Sequence, residues 1–211
     1  GWAVGDRATF LKTLDGGENW ELGYIQPSLE GMGADATLAL VDPIFYDIEF
    51  LEKDRGWIAG EFGKIYRTVD GGESWVEKQN SLLGQSGITD ALNLPTFFGI
   101  SFSDSQNGVV SGLEGKVAVT SDGGETWKFV NAGTANGREG NLFATEPLYA
   151  SCLIGNTGWM VGAAGRVLRL EGGNWKQWQV GVPVATWLRS VDFFDDRTGW
   201  IVGGYGMVLR T

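Results

Sequence analysis

The stretch that decides the fold is Thr13-Leu14-Asp15-Gly16-Gly17-Glu18-Asn19-Trp20, because near-copies of it recur along the chain. The copies are Thr-Val-Asp-Gly-Gly-Glu-Ser-Trp at 68–75 and Thr-Ser-Asp-Gly-Gly-Glu-Thr-Trp at 120–127. A fourth, shorter copy at 170–175, Leu-Glu-Gly-Gly-Asn-Trp, lacks one residue and the Asp. An Asp at the head of a tight turn accepts backbone N–H bonds, and glycines take conformations closed to other residues. Each copy, called an Asp box below, therefore predicts a structural turn between two strands.

A second phrase, Gly-Trp followed by two apolar residues and Gly, accompanies the boxes. It occurs at 1–5, 56–60, 158–162 and 199–203, and Gly-Val-Val-Ser-Gly stands in its place at 108–112. The two phrases define a unit that occurs about five times with a period near 50 residues. Short strands and glycine turns at this period are typical of β-propeller blades.

The sequence thus predicts a single all-β domain over 1–211, a β-propeller of four-stranded antiparallel blades. The predicted parts are a partial blade at 1–26, blades at about 44–80, 96–130 and 148–180, a partial blade at 187–211, and inserts at about 26–43, 80–95 and 131–147. Because the chain opens at a second strand and ends at a third strand of the unit, we expect these residues to belong to a longer chain whose ring has six or seven blades.

Each unit is expected to contain strands A to D. Strand A is an alternating apolar stretch such as Phe45 to Phe50, strand B is the Gly-Trp phrase, strand C leads into the box, and strand D begins at the Trp that closes it. The Trp of strand B is a predicted core residue (Trp2, Trp57, Trp159 and Trp200). The structural Asp-box residues are Asp15, Asp70, Asp122, Trp20, Trp75, Trp127 and Trp175, with each Trp expected to bury its ring between neighbouring blades.

Composition excludes several classes of function. A formal charge of −10 argues against nucleic acid, whose phosphates need a basic surface. No apolar run approaches the roughly 20 residues that cross a bilayer. With no His and the single cysteine Cys152, a Cys/His zinc site and a His-based catalytic triad are excluded. The boxes lack the further oxygen ligands that a calcium loop needs. We predict neither metal nor cofactor.

The Gly-Trp phrase joined to an Arg-Thr-x-Asp-Gly-Gly box, complete at 56–75, resembles the photosystem II stability/assembly factor family and its bacterial relatives, within the wider BNR/Asp-box propellers. The resemblance covers the chain apart from its inserts. It implies a non-enzymatic, extracytoplasmic propeller, in a periplasm or lumen, that helps to assemble membrane protein complexes. The implied partner is therefore a protein, either a membrane protein or a membrane complex. The resemblance does not imply photosynthesis.

A carbohydrate-active enzyme or a glycan-binding propeller that uses the central pocket is the alternative. Sialidases on this fold have an Arg-Ile-Pro phrase in an early blade, and none occurs here. Glu61 and Glu114 occupy equivalent B–C turns, where solvated turn charges are the simpler interpretation. We predict no catalytic residue.

Strand parity predicts the binding face. The D–A and B–C connections of an up-and-down blade leave from one face, and the Asp boxes lie on the other. The predicted partner-binding residues on the first face are Phe62, Leu113 and Tyr205 in the B–C turns and Leu82, Leu83 and Leu92 in an insert. We expect the insert at 80–94 to be dispensable for stability. The alternative is that the inserts fold back and cap the ring.

A cation recurs near the end of strand C, at Lys12, Arg67, Arg169 and Arg210. This repetition predicts a stripe of positive charge that also binds the partner. The alternative is that each cation pairs with a nearby acidic side chain at the blade edge.

Overall fold

The structure, a computed structural model, describes residues 1–26, 42–132 and 145–211. These residues form eighteen strands in five antiparallel sheets that follow one another along the chain. The first sheet contains β1 (Trp2–Val4), β2 (Thr9–Lys12) and β3 (Glu21–Tyr24). The second contains β4 (Phe45–Phe50), β5 (Gly56–Gly60), β6 (Ile65–Thr68) and β7 (Val76–Glu77).

The later sheets repeat this order. The third sheet contains β8 (Phe97–Phe102), β9 (Gly108–Gly112), β10 (Val117–Thr120) and β11 (Lys128–Val130). The fourth contains β12 (Leu148–Ile154), β13 (Thr157–Gly162), β14 (Val167–Glu171) and β15 (Asn174–Gln177). The fifth contains β16 (Leu188–Phe193), β17 (Gly199–Gly203) and β18 (Val208–Arg210).

The predicted all-β propeller architecture is confirmed. Each four-stranded sheet is a meander in the order A, B, C, D, while the described part of the first sheet has strands B to D and that of the last has strands A to C. Each strand A carries a register shift after its first residue, as between Phe45 and Asp47, so the four inner strands bend alike. Ring closure by six or seven blades stays a prediction.

A tryptophan of strand B joins each blade to the next. The Trp57 ring stacks on Phe102 of the following blade, with centroids 3.7 Å apart and planes 16° apart. Trp57 Nε1 also donates to the Gly123 carbonyl, 3.0 Å away in that blade's Asp box. The same stacking joins Trp2 to Phe50 and Trp159 to Phe193, with centroids 3.6 and 4.8 Å apart. The Gly-Trp phrase and the Asp box are therefore two halves of one joint between blades.

The joint between the third and fourth sheets is aliphatic instead. Val109 stands where the others have Trp, Leu153 stands where they have Phe, and the box beside them is the shortened one. In an aromatic joint, a Cβ added to Gly124 would lie 2.6 Å from Trp57 Nε1. A Cβ added to Gly173, the equivalent glycine of the shortened box, would meet nothing within 4 Å. The Trp, the Phe and the complete box are thus lost together.

Strands A of successive blades belong to different sheets, so backbone pairing does not connect them. Side-chain hydrogen bonds connect them instead. The same position of strand A in the second and third sheets accepts a hydrogen bond from the backbone N–H of the next strand A. The pairs are Glu49 Oε2 with Phe102 N (2.6 Å) and Ser101 Oγ with Leu153 N (3.0 Å). Cys152 occupies the equivalent position of β12 and is half-buried.

The Asp boxes are closed by their own side chains. Asp70 accepts from Ser74 N (2.9 Å) and Ser74 Oγ (2.5 Å), while Thr68 Oγ1 donates to Asp70 (2.7 Å) and accepts from Gly72 N (2.9 Å). Gly71 and Gly72 have φ of 72° and 82°, the left-handed region that glycine tolerates. The Ser74 hydroxyl, then the Ser74 N–H, lower the pKa of Asp70 to about 2.

Burial of the box tryptophans depends on the inner strand beside them. Trp127 and Trp175 are buried as predicted, and Trp127 lies edge-on to Phe102, 5.9 Å away. The prediction is wrong for Trp20, which is 45% exposed because the described part of its sheet has no strand A to supply the covering Phe. The core prediction is also wrong for Trp200, which is 40% exposed and has no further described sheet against it.

Removing the indole of Trp57 should destabilise the fold strongly, because it deletes both the stacking on Phe102 and the bond to Gly123. We expect Trp57→Ala to lower the free energy of unfolding in urea by about 3–5 kcal/mol. Trp20→Ala, which removes an exposed indole, is the matched control and should cost much less. Equal losses for the two variants would contradict the role assigned to the joint.

Candidate partner-binding site

The B–C turns form equivalent tips on one face. They are 3-10 turns at Glu61–Gly63, Leu113–Gly115, Ala163–Gly165 and Gly204–Gly206. The middle residue of each has a φ between 52° and 57°, which is uncommon for side-chain-bearing residues (Phe62, Glu114, Ala164 and Tyr205). The four turns thus hold one conformation and differ in the side chain that they present.

Apolar side chains are exposed on this face. Tyr205 is 90% exposed and Leu113 is 40% exposed, while Phe62 is half-buried. The Tyr205 ring lies 5.4 Å from the ring of Trp187, itself 47% exposed. These side chains, with Leu92, form the turn-face surface.

The insert at 80–95 folds back onto the third blade. Leu82 is buried in the core with Phe97 and Trp127, and Leu83 packs against the same cluster. The prediction that Leu82 lies on an exposed binding loop is therefore wrong, and this burial argues against the expectation that the insert is dispensable for stability. The physical reason is that buried apolar side chains of the insert complete the core.

The same insert covers the edge of β11. Ser81 Oγ accepts from Trp127 N (2.7 Å), and Gln85 accepts from Phe129 N (3.0 Å) and donates to the Trp127 carbonyl (3.0 Å). Polar side chains of the insert thus satisfy backbone groups that an outer strand would leave unpaired.

The end of the insert reaches the predicted face. Its 3-10 turn at Ala91–Asn93 contacts the B–C turn at Glu61–Gly63. A Cβ added to Gly63 would lie 2.4 Å from Leu94 Cβ, so the two segments are in close contact. This contact agrees with the parity argument that D–A inserts and B–C turns share a face. Of the three insert leucines predicted to bind the partner, Leu92 is exposed on this face, with 49% of its surface accessible.

The other two inserts fall largely outside the described residues. These two inserts contain further apolar residues, which we expected to contribute to the binding face and which lie outside the described residues (Leu29, Met32, Leu38, Leu142 and Phe143). The ends of the third insert are held together by Arg166, which donates to the carbonyls of Glu146 (2.8 Å) and Ala132 (3.0 Å). Burial lowers the pKa of Arg166 to about 10. Sequence reasoning missed this residue, although its place directly after the B–C turn is a repeating position.

The strand C cations lie on the Asp-box side, away from the turn-face surface. Lys12 Nζ is 2.6 Å from Glu73, and Arg67 pairs with Glu125, which also binds Lys78 at 2.6 Å. Glu73 and Glu125 belong to the Asp box of the following blade. These two cations therefore link blades, as in the alternative interpretation of the stripe.

The later cations of the stripe contact tryptophans. The Arg169 guanidinium lies 5.0 Å from Trp159 and 4.7 Å from Trp178, and that of Arg210 lies 5.7 Å from Trp200. The predicted partner-binding residues thus divide between the two faces of the propeller, and Lys12 and Arg67 are already engaged in ion pairs.

A central cavity of about 610 Å³ lies between the four strands A. Asp47 and Glu49 line it, and Asp47 accepts from the N–H groups of Ile48 and Ile100, both at 2.9 Å. Burial raises the pKa of Asp47. Burial also raises the pKa of Glu49 to about 8. The hydrogen bond from Phe102 N acts against this rise, and the negative charge of Asp47 adds to it.

The described residues offer neither a metal-ion cluster nor a membrane-spanning helix. No cluster of three or more His, Cys, Asp or Glu suited to a metal ion occurs within 1–26, 42–132 and 145–211. In the same ranges no helix is long and apolar enough to cross a membrane. Of the two turn carboxylates considered for catalysis, Glu61 accepts a bond at 3.0 Å from the N–H of Ile44, which directly precedes β4 of the same blade.

These features define an Asp-box β-propeller with an apolar turn face and a carboxylate-lined centre. No protein-family model matches the sequence. The chain is 30% identical over 131 residues to the photosystem II assembly lipoprotein Ycf48 of Synechococcus sp. (strain CC9902), which bears out the predicted family resemblance. The match covers 61% of this chain and 32% of that protein, so the chain spans about a third of the curated relative that it matches.

Solved structures that are similar to the chain include two of YCF48. YCF48 from Cyanidioschyzon merolae has a TM-score of 0.52 at 16% identity, covering 99% of this chain and 78% of that one. This likeness concerns the fold. A structure of YCF48 bound to D1 peptide has a TM-score of 0.47 at 18% identity, covering 100% of this chain and 73% of that one.

Truncating Leu82 should reveal the structural role of its insert. We expect Leu82→Ala to lower the free energy of unfolding by about 2–5 kcal/mol, because it opens a cavity beside Phe97 and Trp127. Leu92→Ala, in the same insert but exposed, should change it by no more than about 0.5 kcal/mol. Chemical denaturation of both variants checks this, and an unchanged Leu82→Ala would show that the insert is not part of the core.

The raised pKa of Glu49 predicts that stability falls as the pH rises. Between the ordinary glutamate pKa near 4.5 and the folded value of about 8, the unfolded chain releases a proton that the folded chain retains. Each pH unit in this window should cost at most about 1.4 kcal/mol. Glu49→Gln should flatten that dependence in unfolding curves recorded from pH 5 to 8. Glu18→Gln, at an exposed box position, should leave it unaltered.

Proposed function

We propose that this propeller is a non-catalytic scaffold that binds a protein during assembly of a membrane complex and acts outside the cytoplasm. The observation that carries the proposal is the similarity over 131 residues to a protein named as a photosystem II assembly lipoprotein. That similarity spans a minor part of the relative, so the partner of this chain is proposed as a class: a membrane protein or a complex that contains one.

The turn-face surface supports the proposal and supplies a binding site. Tyr205, Leu113 and Leu92 expose apolar area on the face where the inserts emerge, and Trp187 extends it beside Tyr205. Exposed aromatic groups set among polar residues are typical of protein interfaces. On the opposite face, Lys12 and Arg67 are occupied by ion pairs between blades. We therefore assign partner binding to the turn face.

The non-catalytic part of the proposal agrees with the chemistry of the carboxylates. Asp47 and Glu49, two of the acidic side chains that line the central cavity, each accept backbone hydrogen bonds from the next blade. Such bonds give these carboxyl groups a structural task between strands that no sheet pairing joins.

Paired surface variants test the proposed binding face. We expect the double variant Tyr205→Ser, Leu113→Ser to reduce copurification with complexes from detergent-solubilised native membranes by about tenfold or more, as for interface hot spots. The matched control is Phe194→Ser, Val69→Ser, which removes exposed apolar side chains from the A–B and C–D links of the other face. Loss of the complex in the control pair alone would place the interface on the Asp-box face. Hydrolysis of a sialoside or glucan by the pure protein would overturn the non-catalytic proposal.

A further inference from the structure

Aromatic rings contact one another around the entrance of the central cavity. The second residue of each strand A supplies this entrance belt, which consists of Tyr46, Phe98, Tyr149 and Arg189. The Tyr46 and Phe98 centroids lie 5.0 Å apart, and those of Phe98 and Tyr149 lie 5.7 Å apart. Because strands A begin where the inserts end, the entrance belt opens on the turn face.

Carboxyl groups line the cavity beyond the entrance belt. Asp47, Glu49 and Asp192 stand in its wall, on β4 and β16. Glu61 lies close enough to Tyr46 for its charge to raise the pKa of the Tyr46 hydroxyl, after the larger effect of burial, while Arg189 acts in the opposite direction. Among the residues described around the cavity and its rim, four acidic groups thus face one basic group.

The entrance belt already holds one cation of this chain. The Arg189 guanidinium lies 5.4 Å from the Tyr149 centroid, within the roughly 6 Å at which a cation is attracted to an aromatic face. Tyr46 and Phe98 continue the same belt toward Glu61. An incoming basic side chain would pack its alkyl stem on these rings and direct its charged head toward the carboxylates.

We propose that the cavity entrance binds a basic side chain, arginine or lysine, presented by an extended segment of a protein partner. That the cation belongs to a protein rests on the proposed function; the preference for a cation rests on the entrance belt and the carboxyl groups beyond it. The chemistry distinguishes this site from the apolar turn-face surface, which it adjoins.

Binding of a cation should be coupled to ionisation of Glu49. The titratable and charged groups that face the Glu49 carboxyl are Asp47 on β4, Cys152 on β12, Asp192 on β16 and Arg189 at the entrance. A cation placed among them favours the ionised carboxylate. Affinity should therefore rise as the pH increases from 6 to 8.5, through the pKa of Glu49 near 8.

Synthetic peptides test the site on the purified chain. The probe is an acetylated, amidated Gly/Ser peptide of about nine residues with one central arginine, and the matched peptides carry citrulline or glutamate there. We expect the arginine peptide to bind about tenfold more tightly than the citrulline peptide in an NMR titration at pH 8. The shift changes should centre on the rings of the entrance belt.

Variants separate the site from the fold and from the proposed function. Glu49→Gln keeps an oxygen acceptor for Phe102 N, and it should remove most of the arginine preference together with its pH dependence. Tyr149→Leu should weaken arginine binding, whereas Glu18→Gln on the other face should not. Equal binding of the arginine and citrulline peptides, or tighter binding of the glutamate peptide, would overturn the inference. If Glu49→Gln copurifies with the membrane complex as fully as the wild type does, the inference is also overturned, and the proposed function stands.

Discussion

A stacked pair of aromatic rings, one from strand B of a blade and one from strand A of the next, is the contact on which the propeller depends. A four-stranded sheet has two faces to bury and supplies little core of its own, so each blade needs the next one to cover it. Trp57 meets this need with Phe102 and reaches the carbonyl of Gly123. The glycine pair of the Asp box has two tasks at this joint. It forms the tight turn of the box, and it leaves room for the indole of the preceding blade.

The joint explains why the motifs change as a group. Where Val109 replaces the tryptophan, Leu153 replaces its stacking partner, and the neighbouring box is shortened. Where the indole is missing, the box does not have to leave room for a ring, and its carbonyl accepts no hydrogen bond from an indole N–H. The preceding blade therefore no longer constrains the geometry of the box. A cavity of about 920 Å³ lies at this joint, lined among others by Val109, Leu153 and Gly173. The imperfect fourth box thus occurs together with the aliphatic packing of the two blades beside it.

The two faces of the propeller serve different purposes. On the Asp-box face, Glu73 and Glu125 of the boxes form ion pairs with Lys12 and Arg67 of the preceding blades. Charge on this face is therefore largely used within the fold. On the turn face, the B–C turns keep one backbone conformation and differ in side chain, whereas the D–A connections differ from blade to blade in length. A constant scaffold with variable tips is the arrangement in which loops carry binding specificity. The central cavity joins this face through the entrance belt, which places the carboxyl groups within reach of a partner.

Several features were predictable from the sequence because they depend on local turn chemistry and strand parity. They are the blade repeat, the four-strand order, the Asp-box turn and the common face of the B–C turns and the D–A inserts. Local patterns do not report what a side chain meets across blades. The sequence therefore predicted Leu82 as exposed, whereas its insert completes the core of the third blade. Lys12 and Arg67 looked like a binding stripe, but their partners lie about 60 residues away in the chain. Arg166, Glu49 and the entrance belt acquire their roles only when the strands A of several blades converge, since that convergence creates their burial and their neighbours.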